Sequence, residues 1–590
     1  MISSVEIKRK CPQIHTVLEV IMMRWGPTAH KVFLFFCLLT NVIVTSMLIL
    51  GGASVISALS GVNIYAAAFL IPVGVMFYTA HGGLKATFMA SWVHVTIIYI
   101  ALIVYTFSIY AVNGDLGSPG KVWDNLTVMA GKVPVDGNRD GSYVTMLSQQ
   151  GLIFGVINII GNFGTVWVDQ AYWQGAIAAQ PSATFKGYVL GGLCWFSIPF
   201  TMATSMGLAA RALDLPITSS EANQGLVPPA IAVFLLGQGG AFLMVLQLFM
   251  AVTASGSAEQ IAVSSLIAYD VYKTYINPAA TDKQVIFVSR IMVVVYGILS
   301  GLFAIILLSI GLSLGWVYLV MGIMIGSAVF PIAASITWSK CSAVAAITSA
   351  LVSQPLAIMT WLVTAYTLYG EVNLTTTGEN FPMMAGNLVA LVFSALLCTI
   401  LTYIYPQDFQ WSDLKTLPGS RGCANFELKE EDRVMLDKVI TWAYRAGGIF
   451  TLVFLVLWPL LSLPVGIFPK PYFTFWVVIS MIWGLIAAAI IIFLPLIEAS
   501  DAILANLKMI FCCQGWNNET EAAVPSPEEL QAASFDDLDS EKKQDQGKVM
   551  VATGPDPTKM DRNPVAGNQG GERVNDTAHG PSPTGYNTKP

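Results

Sequence analysis

The chain has 590 residues, of which 55% are hydrophobic and only 11% charged, with a formal net charge of −6 and a mean hydropathy of +0.64. Soluble domains carry about 25% charged residues, so an ordinary soluble protein is excluded, and the acidic balance offers no basic surface for nucleic acid. There is no phosphate-cradling GxxxxGK[ST], no dinucleotide-binding glycine fingerprint, no HExxH and no paired-cysteine metal site, so an enzyme is not expected and no cofactor is implied.

Residues 1–30 hold Lys8, Arg9, Lys10 and Arg24 but no long apolar run, and read as a cytosolic or interfacial segment. Apolar runs of about 20 residues then predict twelve membrane helices near 31–60, 64–82, 86–112, 151–172, 186–212, 241–272, 284–310, 314–338, 343–368, 384–405, 440–463 and 472–498. The transmembrane core is expected over 31–499, with Gly61 to Asn63 as a very short turn between the first two spans. Lys and Arg collect in the short loops on one side of a membrane, the cytosolic one. Lys85, Lys186, Lys273, Lys283, Lys340 and the basic segment 415–445 alternate consistently with the N-terminal cluster, which places both termini in the cytosol. The loops 113–148 and 367–383 then face outside, with the sequons at Asn125 and Asn373. Residues 500–590 are rich in Pro, Gly, Asp, Asn and Lys, the composition of a disordered tail that could meet cytosolic regulators. None of the eight cysteines falls in an outside loop; Cys512 and Cys513 are candidates for palmitoylation, with unmodified thiols as the alternative.

Two segments carry polarity at membrane depth. In 241–275, AFLMVLQLFMAVTASGSAEQIAVSSLIAYDVYKTY, a helix stepping about 100° per residue puts Thr253, Ser257, Gln260 and Ser264 on one line and Ser255 with Glu259 on another face. A carboxylate in hydrocarbon costs at least about 2.5 kcal/mol, which points to a solute or ion pathway; the other reading is a structural polar network between helices. In 151–188, Gly161 and Gly164 are expected to interrupt the helix, freeing backbone carbonyls to hold a small polar solute. Asn162, Thr165 and Asp169 line one face, followed by Gln170, Tyr172, Trp173 and Gln174. An interfacial aromatic belt is the alternative for the last three. His94 is the one histidine well inside a span, and Asn41 with Thr40 and Thr45 reads first as interhelical hydrogen bonding.

The strings EIKRKCPQIHTVLEVIMMRWG, TNVIVTSMLILGGASVISALSGVNIYAA, GGLKATFMASWVH, GNFGTVWVDQAYWQGAIAAQPSA and AVTASGSAEQIAVSSLIAYDVYKTYI resemble the sodium:solute symporter family, and within it the urea active transporters of fungi, plants and other eukaryotes. The resemblance runs from the first residues to about 500. It implies an all-α polytopic membrane protein of the leucine-transporter type, with two inverted five-helix repeats and solute held at the midplane. It also implies secondary active transport of urea or a similar small amide across the plasma membrane. Against the family pattern the first two to three helices have no counterpart here, so this stretch alone is expected to insert but not to concentrate the solute. The family's sodium site maps onto Ala251, Ala254 and Ser255, where one hydroxyl is missing. A proton is therefore the expected coupling ion, carried by Glu259, Asp169 or His94, with sodium as the alternative. Polyamines are a second solute class, because carboxylates attract cations; a non-transporting membrane sensor is the rival function.

Overall fold

The computed structural model describes residues 2–11, 14–179, 181–411, 430–498 and 500. The chain divides into Met1–Asp537 and Leu538–Pro590, and the second unit lies wholly outside the described residues. The acidic tail, Cys512 and Cys513 fall there or just before it, so those expectations are likewise outside the described residues.

Helices make up the described chain. In order they are α1 (Ile2–Lys10), α2 (Val17–Ser60), α3 (Ile64–Phe107), α4 (Pro119–Lys132), α5 (Gln149–Val168), α6 (Gln170–Ala178), α7 (Pro181–Trp195), α8 (Thr204–Ala212), α9 (Ser219–Asn223) and α10 (Val227–Ser265). They continue as α11 (Asp282–Ser309), α12 (Leu314–Ile325), α13 (Val329–Thr337), α14 (Ala343–Tyr369), α15 (Leu374–Thr377), α16 (Asn380–Leu388), α17 (Ser394–Ile404), α18 (Glu430–Phe450), α19 (Trp458–Ser462) and α20 (Lys470–Glu498). Twelve stretches among the described residues are long and apolar enough to cross a membrane, and each overlaps one of the twelve sequence-derived spans.

Local chemistry sets the junctions. Gly61 caps α2 in the left-handed conformation at φ 71, and the Asn63 side chain accepts from the amides of Tyr65 and Ala66 to start α3, so the expected three-residue turn is there. Three long helices are bent at a glycine with positive φ: Gly26 in α2, Gly83 in α3 and Gly237 in α10. Just past the last of these, a Cβ on Gly240 would stand 1.9 Å from the carbonyl oxygen of Ala232. Backbone cannot step aside as a side chain can, so Gly240→Ala is expected to destabilise the protein by about 2 kcal/mol or more, read as a lower midpoint in thermal unfolding of the purified protein.

The 151–172 span departs from expectation. Gly161 and Gly164 do not break it: α5 runs unbroken to Val168. Those glycines instead admit α12 at close range, since added Cβ atoms would meet Met321 Cε at 3.0 Å and the Ile325 side chain at 2.8 Å. Interhelical packing without room for side chains is the commoner use of small residues in membrane helices. The interruption lies at Asp169, extended at φ −78, ψ 121, between α5 and α6.

The N-terminal segment is packed against the helix bundle, and α2 already begins at Val17. α1 packs against α6, α7, α13 and α18, with Val5 and Ile7 buried. Its cations close helix ends: Lys8 donates to the Ile177 carbonyl near the end of α6, and Lys10 to the Ile336 carbonyl near the end of α13. The core around it is made by Val17, Leu18, Ile21, Phe33 and Phe36 from α2 with Val168, Trp173 and Ile332.

Candidate functional site

α10 packs on α2, α3, α6 and α11, and this arrangement buries Glu259. Facing it, Asn41 comes from the middle of α2 and Asp169 from the break between α5 and α6. The Asn41 Nδ2 group donates to Glu259 Oε2 at 2.7 Å and to Asp169 Oδ1 at 2.8 Å. One amide nitrogen thus holds two carboxylates, and the two acids lie a few ångströms apart with no Lys or Arg bonded to either among the described residues. Asp169 Oδ1 also accepts the Ala171 amide at 2.7 Å, so its carboxylate caps the N-terminus of α6, where the helix dipole favours negative charge.

The amide is itself held in place. Thr45 Oγ1 and the Tyr296 hydroxyl are 2.8 Å apart, and that hydroxyl donates to the Asn41 carbonyl at 3.1 Å, tying α2 to α11 at this level. Two acceptors of the cluster are buried and have no hydrogen-bond partner among the described residues: Asn41 Oδ1 and Asp169 Oδ2. Such atoms cost about 1 to 3 kcal/mol each when left so, which marks them as places for a donor to arrive.

The remaining sequence candidates scatter. Asn162 bonds back to Asn158, Thr165 Oγ1 donates to the Asn162 carbonyl at 3.0 Å, and the Tyr318 hydroxyl donates to Asn158 Oδ1. These polar groups serve the α5–α12 contact and do not join the carboxylates. Gln170 is buried, accepting the Val17 amide and donating to the His15 carbonyl, both at 3.3 Å. Trp173 donates its indole N–H to the Trp167 carbonyl at 2.8 Å, and Tyr172 is about half exposed.

On α10, the line of Thr253, Ser257, Gln260 and Ser264 is engaged in bonds within the bundle. Thr253, Ser257 and Ser264 return their hydroxyls to carbonyls of their own helix, and Gln260 reaches the Pro72 carbonyl of α3 at 3.2 Å. Of the residues mapped to a sodium site, Ala251 and Ala254 are half-buried and the Ser255 hydroxyl lies on an exposed face. No cluster of three or more His, Cys, Asp or Glu suited to a metal ion occurs among the described residues. His94 lies on α3 edge-on to Tyr78, with ring centroids 6.5 Å apart, and bonds to neither carboxylate.

Sequence reasoning did not find a second polar cluster, toward the end of α10's continuation through Ile276. Asp270 Oδ1 sits 2.9 Å from His30 Nε2 and accepts the Thr16 hydroxyl at 3.0 Å, while His30 Nδ1 is 2.8 Å from the Tyr275 hydroxyl. Asp270 and His30 are both fully buried. Beside them His15, half exposed, lies over the Tyr269 ring at 4.2 Å and 3.5 Å from Glu19. Burial works against its charge, but the Glu19 carboxylate outweighs that and holds the His15 imidazole above its ordinary range. A pattern signal did exist, since Asp270 is a further carboxylate in the same membrane-length run as Glu259.

Comparison with known proteins agrees with this architecture. Residues 12–353 match the Sodium:solute symporter family. The chain is 49% identical over 521 residues to a urea–proton symporter of Oryza sativa subsp. japonica, covering 85% of this chain and 72% of that protein. It is 37% identical over 586 residues to a urea active transporter of Saccharomyces cerevisiae, covering 86% and 80%. Among solved structures, a Na+-coupled sialic acid symporter superposes with a TM-score of 0.51 at 15% identity, over 69% of this chain and 80% of that one, which speaks to the fold. Twelve membrane-length helices among the described residues, one of them ending at the buried carboxylate of Asp169, and this extent of identity make the chain an integral membrane member of the sodium:solute symporter family.

Proposed function

We propose that the protein carries urea across the plasma membrane by proton-coupled secondary active transport, with both termini in the cytosol. The observation that carries this reading is the Asp169–Asn41–Glu259 cluster. Two carboxylates held on one amide in a dry site repel, and such pairs ordinarily keep one proton between them. Asp169 receives two N–H bonds and Glu259 one, so an added proton is best placed on Glu259, where it supplies a donor the site lacks. The two unpartnered acceptors, Asn41 Oδ1 and Asp169 Oδ2, suit a neutral solute rich in N–H donors. Urea offers four such hydrogens and a carbonyl, and it brings no charge to bury.

In this mechanism solute and proton enter together from outside. The proton halves the pair's charge and the solute's N–H groups satisfy its acceptors, which lowers the cost of closing the site and reopening it inward. Sodium coupling has weaker support, because Ala254 offers no oxygen from its side chain and the Ser255 hydroxyl lies apart from the cluster. The compared proteins offer nothing in favour of a sensor or a polyamine carrier.

The full-length gene product, expressed in cells lacking their own urea uptake, is expected to take up labelled urea faster as the external pH falls. Replacing sodium by choline should leave the rate unchanged. Uptake that collapses without sodium and ignores pH would overturn proton coupling, and saturable uptake of another solute with none of urea would overturn the substrate.

A further inference from the structure

We propose that His30 and Asp270 form a second proton station of this carrier, which takes the coupling proton after the Asp169–Asn41–Glu259 cluster and releases it to the cytosol. The proposal rests on the proton-coupled urea reading above and adds the group through which the proton leaves.

The geometry carries it in three parts. Asp270 lies on the same continuous span as Glu259, eleven residues further along and about 16 Å down the axis. Its carboxylate is fully buried, Oδ2 has no partner among the described residues, and its nearest cation former is a histidine, the side chain that most readily changes charge near neutral pH. Second, the pair has an outlet. His30 Nδ1 is bonded to the Tyr275 hydroxyl, and Tyr275 is 37% exposed. The Lys31 ammonium lies 5.1 Å over the Tyr275 ring, and Lys273, His15 and Glu19 stand on the same side of the bundle. Cys37, about two turns further along α2, is a further titratable side chain on that helix within electrostatic reach of Asp270 and Asp169.

Third, the pair straddles a joint. α2 breaks at Gly26, with φ 79 and open space where a Cβ would be. Asp270 Oδ1 holds Thr16 from before the break and His30 from after it. Gln170, the residue following Asp169, bonds the chain beside Thr16, at Val17 and His15. The state of the first carboxyl cluster and the state of the second are thus tied to one short segment, His15–Val17. A proton arriving at the second station changes the charge that holds this segment across the joint.

The transfer balances without any redox partner. The O–H bond on Glu259 breaks, the proton passes through water admitted when the site opens inward, and an N–H or O–H bond forms on the His30–Asp270 pair. Gln174 and Ser265, bonded at 3.3 Å and buried, are polar groups at the level between the two stations. The second proton transfer is to cytosolic water on the Tyr275 side, returning the pair to its starting charge.

The test uses His30→Gln and Asp270→Asn in the full-length protein, reconstituted in proteoliposomes, alongside Tyr275→Phe. Net urea uptake driven by a pH gradient should fall roughly tenfold or more in the first two, because a carrier that cannot shed its proton stalls. Exchange of labelled for unlabelled urea at equal concentration, which needs no proton release, should stay within about threefold of the parent protein. Inhibition by internal acid is expected in the parent and should vanish in His30→Gln. An activity-independent measurement is the acid-minus-alkaline infrared difference spectrum of the protein in nanodiscs: a carboxylic-acid carbonyl band should be lost in Asp270→Asn and displaced in His30→Gln. Parental internal-pH inhibition in His30→Gln, or an infrared spectrum identical to the parent's in both variants, would overturn the station. If the parent protein itself fails to exchange urea, the substrate reading falls while the infrared titration still decides this one.

Discussion

Glu259→Gln is expected to abolish accumulation of urea against its gradient while leaving the protein folded and its level in the membrane unchanged. A glutamine at 259 keeps a carbonyl oxygen to accept the Asn41 Nδ2–H bond now made to Oε2 at 2.7 Å, so the packing survives. What is lost is the group that, in the mechanism proposed above, takes up a proton. A carrier coupled to one proton sustains roughly a tenfold concentration ratio per pH unit across the membrane, whereas an uncoupled one equilibrates at a ratio of one. Asp169→Asn should do the same and add a milder structural cost, because an amide caps the N-terminus of α6 without the charge that the helix dipole favours. Asn41→Leu is the harsher change: it strands two buried carboxylates, each losing a bond worth about 1 to 3 kcal/mol, and should lower the folded yield as well. The measurement is the steady-state ratio of labelled urea inside and out, together with membrane levels of each variant. Accumulation at the parental ratio in both Glu259→Gln and Asp169→Asn would remove the pair from the coupling mechanism.

Arg24→Met is expected to be the most destabilising single substitution outside that cluster. The guanidinium donates through Nη1 to the carbonyls of Ala334 and Ser335 at 2.9 and 2.6 Å, and through Nη2 to those of Trp338, Ser339 and Cys341. It therefore closes the C-terminal end of α13 and the turn beyond it, and the rings of Trp25, Phe409 and Trp411 lie within 5.2 Å of its carbon. Arg24 is only 4% exposed, so removing it takes a donor from five carbonyls, of which those of Ala334, Trp338 and Cys341 keep one other N–H each. The loss should be on the order of 3 to 5 kcal/mol. Arg24→Lys should recover little of it, because one ammonium cannot span carbonyls that the planar guanidinium reaches with two nitrogens. Thermal unfolding of the purified variants checks this, and a midpoint within a degree or two of the parent's for Arg24→Met would show that the cap is dispensable.

The two substitutions also differ in what a sequence says about them. Arg24 reads there as one of several charges flanking a first span, a topological marker. Its role as a cap depends on carbonyls more than 300 residues away, and no local pattern encodes that distance. Asn41 is similar: a lone amide in an apolar run is usually an interhelical bond, and it is one here, but its partners are the two carboxylates of the site, at separations of 128 and 218 residues.

Much of the architecture is nevertheless written locally. Membrane spans are legible because hydrocarbon imposes one requirement on every residue of a run, so the apolar stretches near 284–310 and 472–498 coincide closely with Asp282–Ser309 and Lys470–Glu498. The Gly61–Asn63 turn is legible for the same kind of reason, since a left-handed cap and an Asn N-cap act over two or three residues. Glu259 and Asp169 stand out because charge at membrane depth is costly wherever it occurs. Tertiary structure alone decided the rest. Gly161 and Gly164 could have broken α5 or admitted a neighbour, and the approach of α12 settled it; the break fell instead at Asp169, whose side chain caps α6. Hydroxyls at Thr253 and Ser257 return to their own backbone, and Tyr78 of α3 packs there, donating to the Thr253 carbonyl at 2.9 Å. Helical periodicity tells which side chains share a face, and only the packing of α2, α6, α10 and α11 tells what that face meets.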